Sequence, residues 1–447
     1  MNHKRLSPIN MQDVNIVWFR RDLRLTDNAA LYHALKSGIG VIPIFIFDKN
    51  ILDQLEDKTD RRVEFIHAAL EDMQQQLIKI GTSLQVYYGT PQEVFRKLVS
   101  EYKIGAVFTN HDYEPYAVQR DEEIQSFLRS KEIRLKTYKD QVVFEKDEVV
   151  KDDGKPYTVF TPYSRKWKSA LTDFYLKPYP TRKYFSNFFK QPPKLIPSLS
   201  SMGFRQVNKP FPSKSLDEEL VKNYANQRNF PAISGTSKLG VHLRFGTISI
   251  RELASKSSAL SENYLNELIW RDFYHMILWH FPHVGHYKAF KPEYDRIEWR
   301  RDEIDFEKWC TGQTGYPIVD AGMRELNETG FMHNRVRMIV ASFLCKHLLI
   351  DWRWGEAYFA EKLLDFDFAS NNGGWQWASG SGCDAAPYFR IFNPYLQTQK
   401  FDPNLGYIKK WVPEFQEFTY PKPMVVHEEA RKRCLEVYNN ALKKTTR

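Results

Sequence analysis

The 447-residue sequence predicts an α/β domain with a parallel sheet, joined by a long connector to a domain made only of helices. Over residues 1–138, short apolar runs alternate with amphipathic stretches, which is typical of parallel βαβ units. Residues 139–215 are rich in proline and poor in apolar periodicity, which favours an extended connector. Over residues 216–447 the helical period dominates, and no further strand is predicted.

The elements of the first domain follow from these patterns in order. Strands are predicted at residues 14–19, 41–47, 84–88, 106–109 and 134–138. The continuous apolar run of the second strand is typical of a strand buried on both faces. Helices are predicted from Asn28 to Lys36 and at residues 60–80, 91–102 and 116–130. Neither a GxGxxG motif nor a P-loop motif follows any strand, so a dinucleotide-binding or P-loop site lacks its signature.

Composition restricts the class of protein. The formal charge of +9 favours a polyanionic partner such as nucleic acid. Aromatic residues make up 15% of the chain, which predicts either a large aromatic core or surfaces that stack on flat ligands. The four scattered cysteines form no CxxC pair and indicate reduced thiols, hence a cytoplasmic protein. Since no apolar run is long enough to span a membrane and no signal region is seen, we expect no membrane contact.

Two predicted helices carry a second, polar face. In residues 262–280 the apolar residues fall on one side, and Glu267, Trp270, Arg271 and Tyr274 form a stripe on the other. Such a stripe can bind a flat polar ligand, because the acid accepts N–H groups, the indole stacks and the guanidinium pairs with phosphate. Taken alone, the stripe favours the simpler alternative, an amphipathic helix with a surface Glu267–Arg271 ion pair.

The predicted helix at residues 331–350 repeats this arrangement. Asn334, Arg337, Met338 and Ala341 form a second stripe beside its apolar side. The small Ala341 leaves space, and Arg337 can satisfy a buried carboxylate such as Asp365. For Met338 the alternative is simple core packing.

The segment from Asp365 to Trp377 is the least ordinary part of the chain. Asp365 and Asp367 would point about 200° apart on a helix, so we expect a loop. The Asn-Asn-Gly-Gly run at residues 371–374 allows left-handed backbone and close approach to a partner. Together with the paired indoles of Trp375 and Trp377, these features indicate a cofactor site. The alternative is a surface turn between two helices.

Two further motifs are weaker. Residues 235–239 precede a helix with hydroxyl groups and a cation, and could hold a phosphate, although such residues also cap helices without a ligand. His280, His283 and His286 are interrupted by Pro282, and no cysteine or acid completes a ligand set. We therefore predict surface histidines and no metal site.

Together these motifs resemble the photolyase/cryptochrome family of flavoproteins, and within it the class I photolyases that repair cyclobutane pyrimidine dimers. The resemblance runs from Val14 almost to the end of the chain and rests on residues 18–28, 235–239, 266–274, 314–324, 332–338 and 371–377. It implies a Rossmann-like antenna domain over residues 1–138, a connector over 139–215 and a helical FAD- and DNA-binding domain over 216–447.

The resemblance implies FAD as the cofactor, U-shaped within the helical domain and active in its reduced form, FADH−. Arg337 would balance Asp365, and Asn371 would face flavin N5, where an amide supports the reduced anionic flavin. The other residues implied in binding are Tyr224, Thr236, Ser237, Lys238, Leu239 and Gly240 at the phosphates, with Asp365, Phe366 and Asp367 at the isoalloxazine and ribityl groups.

On the substrate side, the resemblance implies that Glu267 meets the base edge of a pyrimidine dimer, with Asn334 and Met338 beside it. Relatives that repair 6–4 photoproducts have histidines at these last two positions, so cyclobutane dimers are expected. The remaining implied substrate contacts are Trp270, Tyr274 and Trp377 at the lesion, and Arg228, Arg271, Gln397 and Lys400 at flanking phosphates.

Two further expectations concern electrons and light. Trp375, Trp352 and Trp299 would form an electron-hopping chain from the flavin to the surface. Relatives that bind a folate antenna have a glutamate where this chain has Ala117, with Glu114 nearby in a different register. A folate, a deazaflavin, a second flavin or no second chromophore all remain open.

The implied activity is light-driven repair of UV-damaged DNA, single- or double-stranded, by a monomeric carbon–carbon lyase. Excited reduced FAD would donate an electron to the flipped-out dimer. The main alternative is a cryptochrome, a blue-light photoreceptor with the same fold and no repair activity. Asn371 and the lack of a long tail after the helical domain disfavour it. A third reading is an FAD-containing nucleic-acid-binding protein without repair activity.

Overall fold

A computed structural model of the chain describes residues 13–443. Residues 1–12 and 444–447, at the outer ends of the two predicted domains, lie outside this range. The amino-terminal part contains a five-stranded sheet with strand order β3-β2-β1-β4-β5, in which all paired neighbours are parallel. The strands are β1 Asp13–Phe19, β2 Gly40–Asp48, β3 Gln85–Gly89, β4 Lys103–Asn110 and β5 Arg134–Tyr138. The predicted parallel α/β fold is confirmed, and every predicted strand coincides with an observed one.

The sheet is apolar because helices cover both of its faces. Along β2, Val41, Phe45 and Phe47 pack into one core, whereas Ile42 and Ile44 pack into another on the opposite face. This alternation follows from the two-residue period of a strand. The surrounding helices are α1 Ala29–Lys36, α2 Lys49–Leu52, α3 Arg61–Ile78, α4 Pro91–Glu101 and α5 Pro115–Arg129.

The region 139–215 contains more regular structure than its proline content predicts. It forms helices α6 Phe160–Ala170 and α7 Asp173–Leu176, and two 3₁₀ turns at Thr181–Asn187 and Ser200–Met202. Pro162 lies in the first turn of α6, where its missing N–H leaves no helical hydrogen bond unmade. The indole of Trp167 in α6 donates to Asp272 at 3.0 Å and so ties this region to the helical part.

The carboxyl-terminal part is helical, as predicted, with no strand among residues 216–443. Its α-helices are α8 Glu218–Gln227, α9 Gly240–Phe245, α10 Ile250–Leu260, α11 Glu262–His280, α12 Glu303–Thr311, α13 Pro317–Thr329, α14 Asn334–Ser342, α15 Trp352–Lys362, α16 Phe368–Ser379, α17 Pro394–Phe401, α18 Gly406–Trp411 and α19 His427–Lys443. The predicted helix at 331–350 is shorter, because His333 caps α14 and a π-helical turn follows at Phe343–Leu348. None of the described helices combines the length and apolar character needed to cross a bilayer.

The segment 365–377 is the clearest departure from the sequence prediction. Residues 368–379 form helix α16, with Asp367 as its cap, rather than a loop. The two glycines have helical backbone and no positive φ. A Cβ on Gly373 would lie 2.2 Å from the ring of Tyr274, so this glycine allows α16 to approach α11. Close helix packing, rather than a turn, explains the Gly-Gly pair.

Two buried clusters of ion pairs join the α/β part to the helical part. In the first, Asp140 accepts from Arg24 and from Arg251, each at 2.7 Å, and Arg251 also bonds Asp27 at 2.8 Å. The second contains Arg21 and lies beside the cavity described next.

Candidate functional site

A cavity of about 440 Å³ opens where helices α11, α14 and α16 meet. Both predicted stripes face it, so the helical period identified the side of α11 and of α14 that lines the cavity. The expected site residues that line the cavity are Tyr224, Arg228, Thr236, Glu267, Trp270, Arg271, Tyr274, Asn334, Arg337, Met338, Asp365, Asp367, Asn371, Trp375 and Trp377.

Several lining residues were missed by sequence reasoning: Asn229, Arg335, Phe359, Leu363 and Ser370. The guanidinium of Arg335 donates to the side-chain oxygen of Asn229 at 2.6 Å and lies 4.3 Å from the ring of Phe401. Ser370 lies between two predicted residues on α16, and a helical projection of that segment would have included it.

The Arg337–Asp365 ion pair forms as expected. The Nη2 atom of Arg337 donates to both carboxylate oxygens of Asp365, at 3.0 and 2.9 Å. A Cβ on Gly240 would lie 2.8 Å from an oxygen of Asp365. The start of α9 can therefore approach this carboxylate only because residue 240 is glycine.

The remaining phosphate-site candidates lie behind this pair. The hydroxyls of Ser237 and Tyr264 are 2.8 Å apart, and Leu239 is buried in the core. Lys238 has a left-handed φ of 54° and places its ammonium 4.9 Å from the ring of Phe331. Lys238 also lines a neighbouring groove of about 410 Å³ that reaches Asp365 from the other side.

Glu267 forms an ion pair with Arg228 rather than with Arg271. Burial raises the pKa of Glu267, whereas the guanidinium of Arg228 opposes that rise. The suggested surface pair of Glu267 with Arg271 is thus wrong. Arg228 was expected at flanking phosphates; its side chain is paired with Glu267 and 34% exposed, and a phosphate contact stays a prediction.

Arg271 also departs from its expected role at DNA phosphates. It is 8% exposed, and its guanidinium donates to the backbone oxygen of Gln141 from the connector. Its Nη2 atom is buried and has no hydrogen-bond acceptor among residues 13–443. A buried guanidinium beside the cavity wall fits a ligand inside the cavity, and it is too enclosed to hold a surface phosphate.

Asn371 is fixed to the neighbouring helix α15. Its side-chain amide donates to the backbone oxygen of Glu356 at 3.1 Å. The next residue, Asn372, donates to the carboxyl group of Glu356 at 2.8 Å. Burial raises the pKa of Glu356 to about 7. Both amides of this pair are thus held by Glu356, Asn371 through its backbone oxygen and Asn372 through its carboxyl group.

The three predicted tryptophans belong to or pack against one apolar cluster and differ in burial. Trp375 lines the cavity and is 2% exposed, Trp352 is buried, and Trp299 is partly buried with its ring 5.9 Å from Tyr438. A Cβ on Gly355 would lie 2.1 Å from the Trp375 indole. Trp352 and Gly355 are three residues apart on α15 and so share the side of that helix that faces Trp375.

The indole of Trp270 is stacked on one side by a residue of the connector. The ring of Phe160 lies parallel to it, with centroids 3.7 Å apart. The outer candidates Gln397 and Lys400 lie on α17, where Lys400 is exposed, and neither lines the cavity. Phe366 also stays outside it, near the guanidinium of Arg244.

His280 and Glu114 both make contacts within the protein. His280 contacts the backbone oxygen of Lys146 at 3.2 Å, and no three potential ligands converge on a metal position among residues 13–443. Ala117 is buried in α5. Glu114 bonds Arg21 at 2.7 Å and also Arg244, so its carboxylate is engaged within the protein.

The comparisons with known proteins agree with this geometry. Residues 15–183 match the family model of DNA photolyase, and residues 264–419 match that of the FAD binding domain of DNA photolyase. A deoxyribodipyrimidine photo-lyase of Agrobacterium fabrum is 37% identical over 96% of this chain and 98% of its own length.

Solved structures show the same fold. A class III photolyase from Agrobacterium tumefaciens is 34% identical, with a TM-score of 0.84 over 99% of this chain and all of its own. A Synechocystis cryptochrome is 25% identical, with a TM-score of 0.83 over 98% of this chain and all of its own. The chain therefore belongs to the DNA photolyase/cryptochrome family and contains that family's FAD-binding domain.

Proposed function

We propose that this protein repairs cyclobutane pyrimidine dimers in UV-damaged DNA by light-driven electron transfer from bound reduced FAD. The observation that carries the proposal is the shared cavity. Residues expected at the flavin, such as Asp365 and Asn371, and residues expected at the lesion, such as Glu267, line one space, so cofactor and substrate can adjoin within it. Adjacent binding is what an electron transfer between the two requires.

The cavity fits a flavin on three observations. The buried Nη2 of Arg271 lacks an acceptor among the described residues, and a ring carbonyl or nitrogen can supply one. Gly374 lines the cavity, and a Cβ there would meet no protein atom within 4 Å, which leaves room for a ligand. The Arg337–Asp365 pair supplies charge and hydrogen-bonding groups at the opposite wall. When bound and excited, reduced FAD supplies one electron that opens the dimer and is then returned.

The chain's own residues hold and orient the two ligands. Asp365 and Asp367 accept hydrogen bonds at the flavin side, and Asn371 presents its amide group from α16. On the lesion side, Glu267 accepts N–H groups of the pyrimidine edge. Trp270 and Trp377 supply flat surfaces for the rings of the dimer.

The identity of residues 334 and 338 favours cyclobutane dimers over 6–4 photoproducts. Asn334 and Met338 line the cavity beside Glu267, and neither can transfer a proton near neutral pH as a histidine can. Splitting a cyclobutane ring needs an electron but no acid–base group, so an amide and a thioether suffice. The assignment to class I stays a prediction.

The proposed DNA binding rests on the positive charge of the protein and on the poor stacking of the damaged base pair. The net charge of +9 favours a polyanion. A linked pyrimidine pair is poorly stacked, so turning it out of the duplex takes less free energy than turning out an intact pair. We therefore expect the dimer to be flipped into the cavity.

Because the chain is also similar to a cryptochrome, the second candidate function is that of a photoreceptor without repair activity. The deciding experiment illuminates the reduced protein with an oligonucleotide that contains one cyclobutane dimer and measures dimer loss. Dark samples and an oligonucleotide with a 6–4 photoproduct are the controls. We expect light-dependent loss of the cyclobutane dimer alone. Intact dimers after illumination of flavin-loaded protein would instead support the photoreceptor function.

A further inference from the structure

Arg21 of the α/β part reaches into the wall of the cavity in the helical part. It follows strand β1, and its guanidinium spreads between two groups of acids. Its Nη1 atom donates to Glu114 at 2.7 Å and to Asp112 at 3.1 Å, both in the segment between β4 and α5. Its Nη2 atom donates to Asp367 at 2.8 Å. Asp367 itself lines the cavity.

The backbone around Arg21 is held as tightly as its side chain. Its Nε atom donates to the backbone oxygen of Arg244 at 3.2 Å. A Cβ on Gly246, the residue that ends α9 with a φ of 64°, would lie 2.2 Å from the carbonyl oxygen of Arg21. The helical part therefore packs directly on this turn, and the guanidinium has little freedom to move away from Asp367.

The other oxygen of Asp367 determines where helix α16 begins. It accepts from the backbone N–H of Ser370 at 3.1 Å and from the Ser370 hydroxyl at 2.9 Å. Helix α16 carries Asn371 and Trp375 into the cavity. One oxygen of the Asp367 carboxylate binds Arg21 and the other caps α16. A shift of Arg21 would therefore move the start of α16, which lines the cavity.

Charge compensation depends on the same guanidinium. Among the described residues, the guanidinium groups within 4 Å of Asp112, Glu114 or Asp367 belong to Arg21 and Arg244. Arg244 lies 3.9 Å from Asp367, whereas Arg21 lies 2.8 Å from it. Loss of Arg21 would leave Arg244 as the one guanidinium within 4 Å of Glu114 and Asp367 among the described residues, with the imidazole of His275 3.6 Å from Asp367. The excess negative charge would adjoin the cavity.

We propose that Arg21 is a positioning residue of the flavin site, which holds Asp367 at the cavity wall and balances its charge. The α/β part thereby sets the electrostatic environment of a cofactor that lies in the helical part. This inference rests on the proposed location of the flavin. An added negative charge disfavours formation of the anionic reduced flavin, so removal of Arg21 should make the midpoint potential of bound FAD more negative.

The experiment measures the midpoint potential of bound FAD in the full-length protein by spectroelectrochemical titration. For Arg21→Gln we expect a shift of the reduction equilibrium of about tenfold toward oxidised FAD, or about 30 mV for a two-electron couple. Arg24→Gln is the matched control, since its side chain is 7% exposed against 9% for Arg21 and it pairs with Asp140 instead. It should lose stability and keep the wild-type potential.

Two further variants keep the test decisive. Asp367→Asn removes the negative charge itself and should shift the potential in the positive direction. The double variant Arg21→Gln/Asp367→Asn restores the charge balance, so it should return the potential toward the wild-type value. It also serves if Arg21→Gln alone fails to fold, because it leaves fewer unpaired carboxylates.

The outcomes separate this inference from the proposed flavin location. If Asp367→Asn shifts the potential and Arg21→Gln does not, the flavin is where we place it and the role of Arg21 is refuted. If neither variant shifts it, the flavin does not adjoin Asp367 and both proposals fail. If Arg24→Gln shifts it as much as Arg21→Gln, the effect reflects loosening of the whole junction, and the specific role of Arg21 is again refuted.

Discussion

Gly373 and Tyr274 touch across the interface of α16 and α11, where a methyl group on the glycine would lie 2.2 Å from the tyrosine ring. Both helices supply walls of the cavity, so this contact sets the distance between the Glu267 side and the Asn371 side. The adjacent glycine makes the contact testable, since a Cβ added at Gly374 would meet no atom within 4 Å.

Gly373→Ala is expected to lower the free energy of unfolding by about 1–3 kcal/mol, because the added methyl group forces the two helices apart. Gly374→Ala should instead raise it by about 0.5–1 kcal/mol, since alanine is the better helix former. Urea unfolding of flavin-stripped protein measures both without interference from the ligand. Equal destabilisation by the two changes would contradict the packing role assigned to Gly373.

Glu356 should make the stability pH-dependent. Burial raises its pKa from 4.5 to about 7, so the folded state holds a proton that the unfolded state releases. The contribution is fully present below about pH 4.5 and is lost as pH rises to about 7, a change of up to about 3 kcal/mol. Glu356→Gln keeps an acceptor for Asn372 and cannot ionise. From pH 5 to pH 7.5 the variant should therefore become increasingly more stable than the wild type. A difference in unfolding free energy that stays constant over this range would refute the role of Glu356.

Glu267→Gln is expected to weaken dimer repair about tenfold or more, because a charged acceptor is lost at the pyrimidine edge. FAD absorbance should be retained. Glu262→Gln is the matched control on the same helix, since Glu262 is exposed and pairs with Lys168 instead. Loss of FAD from Glu267→Gln would show that this stripe serves the cofactor rather than the lesion.

Trp299→Phe should block photoreduction of oxidised FAD and spare repair by protein that is reduced beforehand. Photoreduction needs an oxidisable side chain at the outer end of the chain, and phenylalanine is harder to oxidise than tryptophan. Transient absorption and a repair assay measure the two activities separately. The control is Trp354→Phe. The ring of Trp354 lies 5.2 Å from Phe306, Phe306 lies 5.7 Å from Trp309, and Trp309 lies 6.1 Å from Trp375. If Trp354→Phe alone blocks photoreduction, the electron path runs through Trp309.

Lys400→Gln should weaken binding to damaged and undamaged duplex alike and reduce the salt dependence of the binding constant. Removing one phosphate contact lowers the slope of log K against log salt by about 0.9. The control is Lys97→Gln. Lys97 lies on α4 of the α/β part, with its ammonium 3.8 Å from Glu101. Fluorescence anisotropy over a salt series measures the binding constant and its salt dependence for each variant. An unchanged slope for Lys400→Gln would place α17 outside the DNA interface.

The helical period in the sequence was enough to find two walls of the cavity. Apolar residues on one side of 262–280 and 331–350 left Glu267, Trp270, Asn334 and Arg337 on the other, and all of them line it. The loop predicted at the Gly-Gly run was wrong. Glycine has a low helix propensity, but close packing against Tyr274 requires a glycine inside a helix here.

Other features depended on contacts between residues far apart in the chain. Arg271 belongs to a ligand-facing stripe, yet the connector covers its guanidinium through Gln141, which no local pattern could show. Arg228 turns to Glu267, and Arg21 crosses from the α/β part to Asp367, 346 residues away. Ion pairs of this kind follow from where the chain brings charges together, and spacing along the sequence carries no record of it.

The sequence by itself therefore determined the parallel α/β and helical parts, the two cavity-lining stripes and the family resemblance, because these depend on period, composition and short motifs. Only the tertiary structure decided that 368–379 is a helix, that Arg271 is enclosed and that Arg21 completes the wall beside Asp367. Packing and charge compensation are properties of the assembled molecule, since they depend on which surfaces meet after the chain has folded.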